Sequence, residues 1–449
     1  MRIKLGTPLL LKEIARAIGG KLLSFCNPTI EYVSTDSREV LPGDFYIPIK
    51  GEKFDGEDFV EEVLQKGCYA ISSKNKNAHI FVKDSAKALL DFASYYNKTL
   101  PYILYRIGIT GSTGKTTTKE FLKVLLSTTY KVHANEGNYN NEIGLPMSIL
   151  SAPQNSEILL MELGMNHKGE IHRLSNCLRP DMAVITNVGS SHIGNLGSKE
   201  NIARAKLEIA DGMNEGRIYV LENEELLTCA KNRVTLSLTD SNADFYLRSF
   251  GSNIAVYNRG KKYAEALFNF NEEHLKKCLL FACAIAIDLG VDSLLLENGI
   301  SQISSVNTRQ KVFYLDKYMF IDDSYNASLE SIIASYDFIK SMDKSTAKSL
   351  LLGDVLELGE MSEDIHYQIG KSIQRGLFNR IFLFGNFAQH TKRGALDSGF
   401  PAEGIHVNTL LGRPDLTALQ IKECCTEGEV ILMKASREIK LERILEHFK

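Results

Sequence analysis

"ITGSTGKTTT", Ile109 to Thr118, decides the fold. It reads as a phosphate loop with one part displaced: the pattern G-x-x-x-x-G-K-[ST] needs an earlier glycine, and that position is Ile109. The parts that remain are Thr110, Gly111, Ser112, Thr113, Gly114, Lys115, Thr116 and Thr117. Before the loop, "ILYRIGIT" reads as a strand; after it, "TTTKEFLKVLLSTTY" reads as a helix with Phe121, Val124, Leu125 and Leu126 largely on one face. Strand, glycine loop and helix N-terminus in that order expose backbone N–H groups to an anion. Lys115 adds a point charge, and the Thr116 hydroxyl is a ligand for Mg²⁺. The bland alternative is a glycine turn opening a helix, but Gly-Lys-Thr at this junction argues for phosphate.

Working outward, the strands "EILLMELG" and "DMAVITNVG" are followed by a β-rich stretch around "RIYVLENEE" and "NIAVYNRG", then by the helix "EEHLKKCLLFACAIAIDLG". This order predicts an open, mostly parallel sheet. Upstream, "FYIPIKG" and "YAISS" read as strands and "FVEEVLQKG" as a helix ending at a glycine, a small α/β unit that closes before Pro101. Downstream of Thr308 the alternation restarts with "YMFIDDSYNAS", "SLLLGDV", "RIFLFGN" and "EVILMKAS", which predicts a third, Rossmann-like domain. The expected division is 1–99, 100–308 and 309–449, an α/β chain of three domains, in keeping with its 449 residues.

The composition excludes several classes. Apolar content of 44%, charged content of 24% and a net charge of −3 are ordinary for a globular protein and give no reason to expect nucleic acid. "MRIKLGTPLLLKEIARAIGG" carries Lys and Glu through its apolar residues, so it reads as a short amphipathic helix rather than a signal peptide. No apolar run is long enough to span a membrane. Eight cysteines without a C-x-x-C pair suggest no disulfide framework, and a reducing cytoplasm is expected.

Two residues just past strands are candidate metal ligands. Glu162 ends the apolar run Ile158–Met161, which delivers it to the edge where ligands gather in open α/β sheets; alone it would pass for a solvated strand end. His192 follows "VITNVGSSH", where a lone histidine is more often structural, and imidazole is an uncommon Mg²⁺ ligand. Asp322 and Asp323 after "YMFI" read as a paired-acid loop or as a site at a strand end.

"TGSTGKTTTKE", "EGNYNNEIGLPMSIL", "MELGMNHKGEI", "ITNVGSSHIGNLGSKENIARAKLEI", "DDSYNAS", "LLGDVLELGE" and "MKASREIKLE" resemble the ordered motifs of the bacterial Mur ligases, and "STDSREVLPGDFYIPIKGEKFDG" extends the resemblance to the first domain. That family uses the shortened loop T-G-[ST]-x-G-K-[ST], which accounts for Ile109. "GNYNNEIGLP" with "DDSYNA" and "LGDVLELG" resembles the member that adds D-alanyl-D-alanine. The resemblance implies ATP and Mg²⁺ as cofactors, and UDP-MurNAc-tripeptide and D-Ala-D-Ala as substrates. The γ-phosphoryl group would pass to the tripeptide carboxylate, and the dipeptide amine would attack the acyl phosphate. It also implies that Lys115 holds the β and γ phosphates, that Thr116 and Glu162 hold a first Mg²⁺, and that His192 and a carbamylated Lys206 hold a second. Asn138, Asn140 and Asn141 would line the muramyl-peptide side; on residue type alone they equally suit a turn. Arg309 and Asp323 would reach the γ-phosphate and ribose, with Tyr325 and Asn326 at the reaction centre. Asp354, Glu357, His366, Lys434, Ser436 and Arg437 would face the dipeptide, an arginine fork suiting its carboxylate. Ser34, Asp36, Ser37, Arg38, Gly51 and Asp55 would form the uridine-diphosphate pocket, their bland reading being an edge-strand turn. A monomer is expected.

The sequence departs from the family pattern twice. Leu275 and Cys278 stand where relatives carry asparagines, the first of which contacts adenine. Either a flat apolar contact with backbone groups replaces that amide, or the register along this helix is shifted. Lys-Gly-Ser-Arg becomes Lys434, Ala435, Ser436, Arg437, so a close backbone approach is expected to be partly blocked. Two competing readings are a folylpolyglutamate synthase, which would lack "GNYNNEIGLP" and this type of first domain, and a non-catalytic nucleotide-binding scaffold.

Overall fold

The Tyr105–Thr110 strand, fully buried over its last four residues, sits well inside a nine-stranded sheet, and the phosphate loop leaves from its carboxyl end. In the computed structural model, which describes residues 1–51, 54–303, 311–324, 327–343 and 345–448, this sheet is parallel from Val132–Ala134 across to Phe245–Phe250. Asn253–Asn258 and Lys261–Leu267 extend it antiparallel. Ile109 pairs with Glu162 on one side and Val184 on the other, so it is a core strand residue where the longer loop pattern would have glycine. The Lys115–Leu126 helix packs under the Glu273–Asp288 helix, and it buries Phe121, Leu122, Leu125 and Leu126. Val124 is only half buried, so the apolar face is turned one residue from the expected one.

A six-stranded sheet precedes the central one and another follows it. In the first, Thr29–Ser34, Phe45–Tyr46, Tyr69–Ser72 and Ile80–Phe81 run parallel. The chain's opening corrects the sequence expectation: Arg2–Leu10 is a strand antiparallel to Thr29–Ser34, and only Leu11–Ala17 is helical. The apolar residues read as one helix face belong to a strand edge followed by a short helix. The Ser85–Thr99 helix packs against Gly144–Leu150 and Glu170–Leu178 of the central part. There Asn97 donates from Nδ2 to the carbonyls of Cys177 and Leu178, so the first sheet is fixed to the second. In the third sheet Tyr318–Asp322, Val430–Lys434, Lys348–Gly353, Arg380–Phe384 and Ile405–Asn408 run parallel, with Lys311–Leu315 antiparallel at one edge. The expected boundary at Thr308 lies outside the described residues. All eight cysteines are free, and no helix among the described residues is long and apolar enough to cross a membrane.

The third sheet's domain docks on the central one beside the phosphate loop. Glu330, in the first turn of Leu329–Ser341, accepts from Ser190 N (2.8 Å) and Ser190 Oγ (2.9 Å). Gly194 N donates to the carbonyl of Glu357 at 3.1 Å. These contacts set the carboxyl ends of two parallel sheets face to face, the position at which such sheets bind ligands.

Candidate active site

One cavity of about 1010 Å³ lies between these domains, lined by Lys115, Thr116, Asn138, Asn140, Glu162 and His192 from the centre and by Asp323, Glu357, Lys434, Ser436 and Arg437 from the C-terminal domain. The loop at its floor is built by close approach. Gly111, at φ +149°, passes so near Thr186 that a Cβ there would lie 1.8 Å from Thr186 Oγ1. The loop's N–H groups are not all offered to a ligand, contrary to the sequence expectation. Asn187 Oδ1 accepts from Ser112 N (3.1 Å) and Thr113 N (2.9 Å), and its Nδ2 donates to Thr113 Oγ1 (2.6 Å). What remains for an anion is the start of the Lys115–Leu126 helix, whose first N–H groups have no intrahelical acceptor. Lys115 Nζ folds back over the loop to the carbonyl of Gly111 at 2.7 Å.

The first-turn Thr116 meets Glu162 directly, Oγ1 donating to Oε2 at 2.6 Å, while Asn140 Nδ2 donates to Oε1 at 2.8 Å. Glu162 is only 3% exposed, so this is a buried carboxylate held by two neutral donors beside the helix N-terminus. Oxygen ligands of this kind fit a hard divalent cation that completes its shell with phosphate oxygens. His192, in the left-handed region at φ 63°, places Nδ1 2.6 Å from Glu357 Oε2 across the domain interface. That contact holds the Glu357 carboxyl below its ordinary pKa despite partial desolvation. His192 is thus committed to a carboxylate rather than standing beside Glu162, and no cluster of three His, Cys, Asp or Glu side chains able to hold a metal occurs among the described residues. Lys206 is 1% exposed and makes no hydrogen bond or ion pair among the described residues. Burial, with the charge of Lys115 second, pushes its pKa well below the ordinary lysine value.

On the facing wall Lys434 Nζ pairs with Asp323 Oδ2 at 2.9 Å. Arg437 is mostly exposed, 3.4 Å from Glu442. Asp354 and His366 do not face the cavity, which corrects their expected contact with the dipeptide. Asp354 accepts from Asn386 N (2.7 Å) and Phe387 N (3.1 Å). His366 accepts at Nε2 from Val355 N (3.0 Å) and donates from Nδ1 to the Ser362 carbonyl (2.7 Å). Both are buried clamps on the loop that carries Leu356 and Glu357, and Ser436 Oγ, accepting from Leu356 N at 2.9 Å, is a third. Ala435 corrects another expectation: its methyl is fully buried in the C-terminal core and leaves the cavity open. Leu275 and Cys278 are buried where the helix meets the phosphate loop, Cys278 Sγ lying 3.7 Å from the Gly114 carbonyl; with Phe270 they give the cavity an apolar wall. Asn141 holds the turn before the Gly144–Leu150 helix, its Oδ1 accepting from Gly144 N at 2.8 Å, and does not line the cavity. Arg309, Tyr325 and Asn326 lie outside the described residues.

The first-domain candidates gather apart from this cavity, around Tyr46. Ser34 is buried, its Oγ accepting from Asp36 N, and Asp36 holds Arg38 at 2.6 Å, a pairing that lowers the Asp36 pKa. Asp55 caps the short helix at Gly56–Phe59 and pairs with Lys74 at 2.7 Å, and Gly51 N donates to the Phe54 carbonyl. Burial, then the charges of Asp36 and Glu57, push the Tyr46 phenol up to about 12. Ser37 is buried at the same turn. Four residues the sequence did not single out matter here: Asn187, Glu330, and the pair Lys119 and Asn135 behind Glu162.

Residues 109–277 match the Mur ligase middle domain, and residues 29–97 match the domain described as Mur ligase family, catalytic domain. Across its length the chain is 35% identical to the UDP-N-acetylmuramoyl-tripeptide--D-alanyl-D-alanine ligase of Bacillus subtilis, covering 97% of each chain. The chain belongs to the Mur ligase family. Its fold is that of MurF crystal structures. One from Acinetobacter baumannii gives a TM-score of 0.88 at 26% identity over 99% of both chains. Another, from Thermotoga maritima in complex with ADP, gives 0.78 at 27% identity over 93% of this chain and 96% of that one. The three-domain architecture read from the sequence is therefore the family's.

Proposed function

We propose that the chain is the ATP-dependent ligase that joins D-alanyl-D-alanine to UDP-MurNAc-tripeptide in cytoplasmic peptidoglycan precursor synthesis. The observation that carries this reading is the cavity in which the phosphate loop and the Thr116–Glu162 pair face Asp323, Lys434, Ser436 and Arg437 of another domain. ATP chemistry and peptide recognition are thereby brought to one place. In the reaction the tripeptide carboxylate takes the γ-phosphoryl group with loss of ADP. The dipeptide amine then forms the amide bond, releasing phosphate and a proton.

The main barrier is electrostatic, since a carboxylate must approach a polyanion, so catalysis is positioning and charge neutralisation. Lys115 and the helix N-terminus hold the phosphates. Glu162 and Thr116 would hold Mg²⁺, which when bound would spread the phosphate charge. Asn138 and Asn140 present neutral donors on the tripeptide side, where a further carboxylate would repel the reacting one. Asp323 with Lys434 closes the opposite wall, and Arg437 is free enough to swing toward a dipeptide carboxylate. Ser34, Asp36, Ser37, Arg38, Gly51 and Asp55 remain the proposed uridine-diphosphate pocket, and Arg309, Tyr325 and Asn326 remain proposed from the motif alone.

Lys206 is proposed to carry a carbamate. Its nitrogen would bond to CO₂ with loss of a proton, which requires the neutral amine that burial favours. His192 would join it at a second cation once released from Glu357. Phosphate release measured with UDP-MurNAc-tripeptides ending in lysine or in diaminopimelate tests the whole reading. Release should require both tripeptide and D-Ala-D-Ala and should vanish in folded Lys115→Ala; release indifferent to the dipeptide would overturn it.

A further inference from the structure

Glu162 is gripped from behind as well as from the front. Asn135, 3% exposed, accepts at Oδ1 from Glu162 N (2.9 Å) and donates from Nδ2 to the Glu162 carbonyl (3.0 Å) and to the Tyr139 carbonyl (2.8 Å). The neighbouring strand Val132–Ala134 ends one residue earlier, so this amide takes over the ladder just where the carboxylate leaves the sheet. The bond to Tyr139 also fixes the loop from which Asn140 reaches Glu162 Oε1. Asn135 is itself anchored: its carbonyl accepts from Lys119 Nζ at 2.5 Å, and Lys119 is fully buried, its ammonium also pairing with Glu120 at 3.0 Å.

Lys119 lies one turn beyond Lys115 on the phosphate helix. That helix therefore reaches Glu162 by two arms, Thr116 touching the carboxylate and Lys119 holding the residue that holds its backbone. A buried ammonium is a poor device for stability, because an apolar side chain of the same volume is commonly as good or better. What this one secures is the distance between the helix that binds phosphate and the carboxylate that would bind the cation.

We propose that Asn135, anchored by Lys119, is a positioning residue that sets the Glu162 carboxylate to receive a divalent cation at the nucleotide site. The inference rests on the reading of Glu162 given above. Partners behind a metal ligand typically govern metal affinity by about 10–100-fold.

The test uses the full chain, Mn²⁺ as the probe and a non-hydrolysable ATP analogue, with bound Mn²⁺ read by electron paramagnetic resonance. Asn135→Ala should weaken Mn²⁺ binding in the presence of the analogue by about 10-fold or more. Binding of the analogue in EDTA should stay unchanged. Lys119→Met, which keeps the helix's buried volume, should shift Mn²⁺ affinity in the same direction, and it reads the same coupling if Asn135→Ala does not fold. Lys119→Arg, keeping charge and donor, should recover part of the loss. In turnover, both weakening variants should need more Mg²⁺ and regain rate at high Mg²⁺, which a merely loosened fold would not do. Glu162→Gln is the reference. If it weakens Mn²⁺ binding while Asn135→Ala and Lys119→Met do not, the positioning role is overturned. If Glu162→Gln also leaves Mn²⁺ binding unchanged, the cation reading of Glu162 falls and the inference with it.

Discussion

Lys206 is a buried amine with no hydrogen-bonding partner among the described residues, near the charge of Lys115. Left as an ammonium it would be an unpaired charge in a low-dielectric place, which proteins avoid by neutralising the group. Left as a neutral amine it satisfies nothing. A carbamate resolves both problems, because it turns the site negative next to Lys115 and supplies oxygens. Lys206→Ala should therefore lose most ligase activity, on the order of 100-fold or more, the scale set by losing a preorganised charge. Millimolar acetate or formate should restore part of it by occupying the vacated space. Undiminished turnover in the alanine variant, or no response of the unmodified chain to removal and return of bicarbonate, would end the proposal. Residue identity alone cannot reveal this, because a lysine in "ENIARAKLEIA" looks like any charged helix position until burial is known.

Among elements, the strand, loop and helix around Gly111 are the most sharply determined. A methyl at position 111 would overlap Thr186 Oγ1 at 1.8 Å and crowd Thr186 N at 3.1 Å, in a backbone region that glycine favours. Gly111→Ala should cost about 1–3 kcal/mol in urea unfolding and abolish ADP binding. Adding Thr186→Ala should relieve only part, since the tight contact with Thr186 N and the glycine-favouring φ remain; full recovery would show that side-chain crowding alone is at issue. These same elements were the most legible in the sequence, because an apolar strand, a glycine loop and an amphipathic helix each leave a local pattern. Arg2–Leu10 left none: its pairing with Thr29–Ser34 is a long-range fact, and its apolar residues ran on into the helix that follows. Motif order assigned Thr116 and Glu162 to one site, and their side chains meet at 2.6 Å, since each ends or begins a recognisable element. It placed Asp354, His366 and Asn141 at substrate because it cannot tell which way a side chain turns: Asp354 and His366 turn inward to hold backbone N–H groups, and Asn141, though exposed, accepts from the N–H of Gly144. Asn187 and Asn135 are illegible for the converse reason: asparagines near strand ends look like turn residues until their bonds are seen.

At the scale of the molecule, acid should weaken the fold before it reaches the carboxylates. His79, His133, His274, His366 and His406 all have pKa values below the ordinary imidazole value, chiefly because burial disfavours the charged ring. The unfolded chain, with imidazoles near about 6.5, then takes up protons first, so stability falls as pH drops below that value. Asp354 and Glu224, raised by burial, contribute with the opposite sign. Unfolding at pH 5.5 should therefore absorb protons and need less urea than at pH 7.5; equal midpoints would refute this. Domain docking makes the other prediction. Gly194 is packed against the C-terminal domain so closely that a Cβ would lie 2.4 Å from Gly359 N, 2.5 Å from Leu358 C and 2.7 Å from the Glu357 carbonyl. These are backbone atoms, which cannot rotate away, whereas alanine itself fits the short helix Ile193–Leu196. Gly194→Ala should leave each domain folded but hold the C-terminal domain off, separating Glu357 from His192 and Glu330 from Ser190. Displacing one wall of a positioning site by an ångström costs on the order of 100-fold in rate, so ligation should fall by at least that while ADP binding at the phosphate loop persists. Small-angle scattering should show a larger radius of gyration than the unmodified chain. A variant equally compact and equally active would mean that this docked arrangement is not the one in which the ligase works.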